Sequence, residues 1–332
     1  MDAIILAGGF GTRLRPLTLH SPKPLVPLAN QPFLATLTRR LARAGVRRAN
    51  LAAFHQCAEI RRALARLPRF GVRLSVVREP APLGTGGAIR HAWPDPHSPC
   101  LVLNGDILSD FDLADLARFH RARRADASLW TRPVEDPSAF GVLEFGRDRR
   151  VRRFVEKPRP GESDSRFINA GVYVLSPSVH ARIPEGRAVS VEREVFPGLV
   201  AAGLNVSAFV SAGPDYWRDL GTPQQYLLAN LDALKGRLPS LAAPPERGYL
   251  AGAGSRLDRG CRIESSVLGP RCRVGAKALV SGSVLWEGCR VGEGARLEGA
   301  LLGRGVEVGA WAQVGPGAVL GDGAVIPPYS KL

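Results

Sequence analysis

The stretch Asp2-Ala-Ile-Ile-Leu-Ala-Gly-Gly-Phe-Gly-Thr-Arg-Leu-Arg-Pro-Leu-Thr18 decides the reading of the fold. Ala3 to Ala7 is a short uninterrupted apolar run, the pattern of a strand buried on both faces of a parallel sheet. It stops at Gly8-Gly9 and Gly11, and Thr12-Arg13 follow directly. Glycines there let backbone N–H groups approach a ligand, while Thr12 adds a hydroxyl and Arg13 a permanent cation. Lys23, fixed between Pro22 and Pro24, adds a second cation. Two cations beside a donor-rich loop suit a polyphosphate better than a lone carboxylate. The loop is not a P-loop, because no Lys-Ser/Thr pair closes it. Leu14 stands where a dinucleotide fingerprint has its last Gly.

Beyond this loop, apolar strands alternate with amphipathic helices to about residue 235. Phe33, Leu34, Leu37, Leu41 and Ala44 form a helical stripe. Strands follow at Val46–Phe54 and Val72–Val77, with a helix at Glu59–Leu67 between them. Cys100–Asn104 is another buried strand, ending at Gly105-Asp106, and a helix spans about Leu113–Arg121. Such alternation predicts an α/β fold whose sheet is mostly parallel with helices on both faces, and ligands bind at the carboxyl ends of its strands. Residues 140–175 are richer in strand pattern, and a helix is expected near Val191–Ala202. Thr222 and Pro223 open a last helix as N-cap and first helical residue. Pro239–Gly248 is a linker by composition.

After the linker, aliphatic residues recur at Leu257, Ile263, Leu268, Val274, Val280, Leu285, Val291, Leu297, Leu302, Val308, Val314, Leu320 and Ile326, in steps of six or five. A hexapeptide period predicts a parallel β-helix, each side placing one aliphatic inward and turning at a small residue. The five-residue steps recur every 17 residues, which stacks Cys272 over Cys289 as packing partners. All six His precede the repeat, so it offers no His base for acyl transfer and reads as an oligomerisation or regulatory module.

The chain has 332 residues, 45% hydrophobic and 23% charged, the profile of a globular protein of one or two domains. No apolar run is long enough to cross a membrane, and the start lacks the basic region of a signal peptide. Five cysteines, none in a C-x-x-C pair or near a His, read as reduced thiols in the cytoplasm. The net charge of +15 is written almost entirely in Arg. No basic stretch is interleaved with aromatics, which argues against a nucleic-acid partner. Only five of the 45 cations are Lys, so Lys23 and Lys157 mark places where a compact point charge is wanted. Asp106 ends a buried strand and Asp219 follows another apolar strand end. Two such hard oxygen donors suit Mg2+ bound to substrate phosphates.

The ordered segments LAGGFGTRLRPLT, SPKPLVPLANQP, PLGTGGAI, LNGDIL, FGVLEF, FVEKP, INAGVYVLSP, SVEREVFPGL and YWRDLGTPQQYLLAN, with the hexapeptides after them, resemble the sugar-1-phosphate nucleotidyltransferases over nearly the whole chain. The resemblance implies a Rossmann-like nucleotidyltransferase domain with a mixed, mostly parallel sheet over residues 1–236. A linker over 237–250 and a left-handed parallel β-helix over 251–332 would follow. Leu6, Ala7, Gly8, Gly9, Gly11, Thr12 and Arg13 would wrap the triphosphate, and Lys23 would lie near its α-phosphate. Gly84 and Thr85, in a loop Leu83–Gly87, would line base and ribose. Asp106 and Asp219 would hold Mg2+. Gly141, Glu156, Lys157, Asn169 and Gly171 would bind the sugar phosphate, Lys157 on the phosphate and Glu156 and Asn169 on hydroxyls, with Glu192 or Glu194 also reaching the sugar.

The implied reaction joins a sugar-1-phosphate to the nucleotidyl group of a nucleoside triphosphate and releases pyrophosphate, with Arg13, Lys23, Asp106 and Asp219 as its catalytic set. GTP with mannose-1-phosphate is the first expected pair. Glucose-1-phosphate with dTTP, UTP or ATP is the alternative, and a non-catalytic nucleotide-sugar-binding regulatory subunit is the alternative from another class. The expected partners are these small molecules and further copies of the chain through the β-helix, with neither nucleic acid nor membrane.

Overall fold

The computed structural model describes residues 1–68, 70–213, 215–238, 241 and 245–332. The expected linker at Pro239–Gly248 lies in part outside them. The chain packs into two compact units. One comprises Met1–Gly9 with Leu37–Trp217, and the other Phe10–Thr36 with Arg218–Leu332.

In the first unit, nine strands among the described residues form one sheet. They are β1 (Asp2–Leu6), β2 (Arg48–Ala53), β3 (Arg73–Arg78), β4 (Cys100–Asn104), β5 (Ala127–Pro133), β6 (Gly141–Phe145), β7 (Val151–Glu156), β8 (Phe167–Leu175) and β9 (Val206–Val210). The order is β7-β6-β8-β4-β1-β2-β3, with β5 pairing β8 and β9. The central strands β4, β1, β2 and β3 are parallel, as the uninterrupted apolar runs predict. β8 runs antiparallel to β4, β5 and β6, which makes the sheet mixed.

Between the parallel strands run α1 (Phe33–Arg43), α2 (Cys57–Leu64), α3 (Gly84–Ala92) and α4 (Leu113–Arg123). The α1 stripe does as its spacing predicts: Phe33, Leu34, Leu37 and Leu41 are wholly buried. The expected helix near Val191–Ala202 is a wide π turn, Val191–Val195, that tightens into α5 (Phe196–Ala201).

His120 sits on the buried face of α4, its ring nitrogens 3.0 Å from Ser128 Oγ and 3.0 Å from Ser176 Oγ. Burial pushes its pKa down to about 4. The unfolded chain takes up this proton near pH 6.5, so between those values it binds more protons than the folded chain. Stability is therefore full above pH 6.5 and falls as the pH drops toward 4. Urea titration should show a loss of about 2 kcal/mol between pH 6.5 and pH 5 that His120→Gln removes. Equal pH slopes in the two proteins would refute this assignment.

In the second unit, the hexapeptides coil into three stacked walls of parallel strands. Leu250 pairs with Val267, Val267 with Val284 and Val284 with Leu301, each 17 residues on, and Leu301 with Val319 completes a longer last coil. The aliphatics picked out by period fill the interior, from Leu268 through Val274, Val280 and Leu285 to Val314. Cys272 and Cys289 lie in the same core as free thiols, donating to the Trp286 carbonyl at 3.1 Å and the Gly303 carbonyl at 3.0 Å. This unit also contains α6 (Pro223–Leu234), where Thr222 caps the Gln225 N–H at 3.3 Å behind Pro223.

Candidate active site

In the first unit, two strand ends carry candidate residues side by side. β1 and β4 are register neighbours, with Leu6 opposite Asn104. The Gly105 N–H donates to the Leu6 carbonyl at 2.9 Å, which brings the Asp106 turn alongside Ala7, Gly8 and Gly9. Only glycine allows this approach, because a Cβ at Gly105 would lie 2.2 Å from the Leu6 oxygen. Gly8, Gly9 and Asp106 all keep some exposure at this carboxyl edge, where ligands of parallel sheets bind.

Glu79, which follows β3 directly, is a buried carboxylate. Its Oε2 accepts the Leu83 N–H at 3.0 Å and so orders the entry to α3. Burial raises its pKa, partly offset by that hydrogen bond and by His91.

Gly84 and Thr85 were expected in a loop; they form the first turn of α3. Gly84 takes φ +67°, and a Cβ there would meet the Val189 carbonyl at 2.5 Å. The Gly86 N–H donates to that same carbonyl at 2.8 Å. Thr85 Oγ1 accepts the Val191 N–H at 2.8 Å and donates to Glu192 Oε2 at 2.7 Å.

This contact separates the two glutamates that sequence left undecided. Glu192 stands beside Thr85 and raises the pKa of Glu156, after burial as the larger cause, with Lys157 and Arg193 opposing. Glu194 is turned away into an ion pair with Arg187 at 2.9 Å. The structure thus groups Thr85, Glu156 and Glu192.

Around them lie the other sugar-phosphate candidates of this unit. Gly141 heads β6 and pairs with Glu156 at the end of β7. Lys157 follows in the left-handed region, φ 53°, with its N–H on the Phe140 carbonyl at 2.9 Å and its side chain exposed. Asn169 and Gly171 occupy the bulge in β8, where the register with β5 shifts. Asn169 fixes that bulge itself: Oδ1 accepts the Gly171 N–H at 3.1 Å, and Nδ2 donates to the Tyr173 hydroxyl at 2.9 Å.

The second unit holds the two candidate catalytic cations, Arg13 and Lys23. Thr12–Leu14 forms a single tight turn after Gly11, and the Thr18 hydroxyl donates to the Gly11 carbonyl at 2.8 Å. Arg13 is largely exposed and lies 3.9 Å from Asp219, joining two of the expected catalytic residues. Lys23 opens a second tight turn, Lys23–Leu25, with Pro22 before it and Pro24 within it. Chemically, these are an exposed cation beside a carboxylate and a half-buried ammonium on a rigid turn, fit for charged oxygens.

Comparison with known proteins places both parts of the chain among described families. The nucleotidyl transferase family matches residues 2–236. The EIF2B subunit epsilon LbH domain, a left-handed β-helix, matches residues 243–332. The mannose-1-phosphate guanylyltransferase of Mycobacterium tuberculosis is 41% identical over 301 residues, covering 84% of this chain and 83% of that protein. The mannose-1-phosphate guanyltransferase of Schizosaccharomyces pombe is 40% identical over 74% of this chain and 68% of its own length. Mannose-1-phosphate guanylyltransferase 1 of Arabidopsis thaliana is 35% identical over 82% of this chain and 81% of its own length. With its glycine loop, its Asp106 turn and a match across 2–236, the chain belongs to the nucleotidyl transferase family.

Proposed function

We propose that the chain transfers the guanylyl group of GTP to mannose-1-phosphate, forming GDP-mannose and pyrophosphate. The observation that carries this reading is the pairing of the glycine loop with the Asp106 turn at one strand edge, in a chain 41% identical to a guanylyltransferase. A sugar-phosphate oxygen attacks the α-phosphorus of GTP. The new O–P bond forms in line as the bond to the bridging oxygen breaks, and pyrophosphate takes the electron pair.

The nucleophile is already ionised, so no strong base is needed; what is needed is positioning and charge neutralisation. Leu6, Ala7, Gly8, Gly9, Gly11 and Thr12 contribute backbone and hydroxyl donors to the triphosphate, with Arg13 and Lys23 balancing its charge. Gly84 and Thr85 border the nucleoside. Lys157 takes the sugar phosphate, and Gly141, Glu156, Asn169 and Gly171 frame the sugar, with Glu192 beside Glu156. Asp106 and Asp219 are hard oxygen donors of the kind that hold Mg2+ on substrate phosphates. When bound, that ion supplies charge neutralisation at the reacting phosphate. We place the enzyme in the cytoplasm on its five free thiols, and assign assembly into homo-oligomers to the β-helix. Among the described residues no helix is long and apolar enough to cross a membrane.

Pyrophosphate release with Mg2+ tests the reading, using GTP, dTTP, UTP and ATP against mannose-1-phosphate and glucose-1-phosphate. The expected maximum is GTP with mannose-1-phosphate. A maximum at glucose-1-phosphate with another nucleotide would replace the substrates and keep the reaction, and silence across the grid would overturn the reading.

A further inference from the structure

The three walls of the β-helix differ in what they turn outward. One wall presents Arg256, Arg273 and Arg290 in register, and another Arg262, Leu279 and Arg296, mostly charged as a solvent-facing wall should be. The third presents Val267, Val284 and Leu301, which are 1%, 1% and 2% exposed. Three outward aliphatics buried in a row mean that this wall is covered, and hydrogen bonds of the unit tie one segment to it.

The segment tied to this wall includes the turn that carries Lys23. Arg304, at the end of the third wall, donates to the buried Ser21 hydroxyl. Its guanidinium lies 5.1 Å over the Trp286 ring and 3.7 Å from Asp322, which fix its direction. Trp286 is wholly buried and donates from Nε1 to the Tyr226 hydroxyl at 2.9 Å. Tyr226, on α6, passes the chain of hydrogen bonds to the Pro27 carbonyl.

Ser21 and Pro27 bracket Lys23, so the segment is held on both sides. Just beyond, the tight hairpin at Ala29 and Asn30 takes φ 46° and 65°, a left-handed pair that costs an alanine energy. It is held by Asn230 Oδ1 on the Ala29 N–H at 2.9 Å and by Asn30 Nδ2 on the Leu268 carbonyl at 2.8 Å. Strain of this kind persists only where the surroundings over-determine it.

We propose that this wall of the β-helix is the positioning scaffold for Lys23, with Arg304 and the Trp286–Tyr226 pair acting on nucleotidyl transfer through the Ser21–Pro27 segment. The inference rests on the guanylyl-transfer reading for its kinetic consequence, but not for its structural one. Lys23 stands on a turn of only three residues. Such a turn has no ladder of its own to set the ammonium to within the tolerance that phosphate chemistry requires. The relay supplies that tolerance from a rigid stack of coils, and it gives the β-helix a part in the reaction besides assembly.

The test uses Tyr226→Phe in the full chain, which deletes one oxygen and breaks the hydrogen bonds to Trp286 and Pro27, with Arg304→Ala as the second variant. The Leu25 and Val26 amides donate to the Pro22 and Lys23 carbonyls at 2.8 and 3.3 Å, and they report the turn. Their hydrogen exchange should accelerate about tenfold in both variants while the Arg290 amide, on another wall, stays protected. kcat should fall about tenfold with KM for mannose-1-phosphate unchanged, and Arg304→Lys should recover part of it.

In a Lys23→Ala background neither variant should lower kcat further, because a positioning residue has nothing left to position. Unchanged exchange at Leu25 and Val26 in both variants would overturn the proposal. So would the same fold-loss in both backgrounds. If the unaltered chain makes no GDP-mannose, the functional reading fails, and the exchange result decides the positioning role by itself.

Discussion

Asp106→Ala should lower kcat by about a thousandfold while the protein stays folded. The residue follows β4 at the carboxyl edge of the sheet, and the hydrogen bond that sets its turn is the backbone link from Gly105 to Leu6, which the substitution leaves intact. Asp106 is half-buried and contributes no apolar area to the core. Its loss is therefore a loss of negative charge at the place assigned to the metal-bound triphosphate. Removing one preorganised electrostatic group of this kind costs about 2.7–4 kcal/mol in the transition state. Asp106→Asn keeps the shape and should be nearly as damaging, which separates charge from packing. Steady-state pyrophosphate release and a melting curve on the same samples decide the matter; near wild-type turnover would remove Asp106 from the mechanism.

Lys23→Ala should cost about a hundred- to a thousandfold in kcat, for the opposite charge. Negative charge gathers on the departing pyrophosphate and on the oxygens of the five-coordinate α-phosphorus, and a compact ammonium on a proline-braced turn meets that charge without reorganising. Lys23→Arg should not restore activity, because the flat, wider guanidinium cannot occupy a point-charge position. In a chain whose other cations are almost all Arg, this is the sharpest form of the prediction. Full rescue by Arg would show that any cation suffices there, and undiminished turnover in Lys23→Ala would exclude the residue from the chemistry.

Much of this is legible in the sequence. The apolar run of β1 and the glycines behind it announce a parallel strand and a ligand loop through local rules alone. The hexapeptide period likewise names its interior residues one by one, because a β-helix repeats its register every coil. What escaped reading was decided by contacts distant in sequence. The segment Leu83–Gly87 reads as loop because Gly84, Gly86 and Gly87 are poor helix formers. From Gly84 on it is helical, and its glycines leave room for the Val189 carbonyl, which accepts the Gly86 and Gly87 N–H groups. Glu192 and Glu194 are equivalent in sequence, and their partners tell them apart: Thr85, over a hundred positions away, holds Glu192, while Arg187 holds Glu194. Buried outward aliphatics on one β-helix wall are visible as letters, yet nothing local says that the segment carrying the Lys23 turn is hydrogen-bonded to that wall.

Exchange of labelled pyrophosphate into GTP tests the central claim most directly, namely direct transfer from nucleotide to sugar phosphate with no enzyme nucleophile. The purified chain, with Mg2+, should catalyse exchange only when mannose-1-phosphate or GDP-mannose is present, because the reverse reaction needs the sugar nucleotide. Exchange without any sugar phosphate would reveal a guanylylated enzyme, and no exchange with it would mean that guanylyl transfer does not occur; either result would contradict the account.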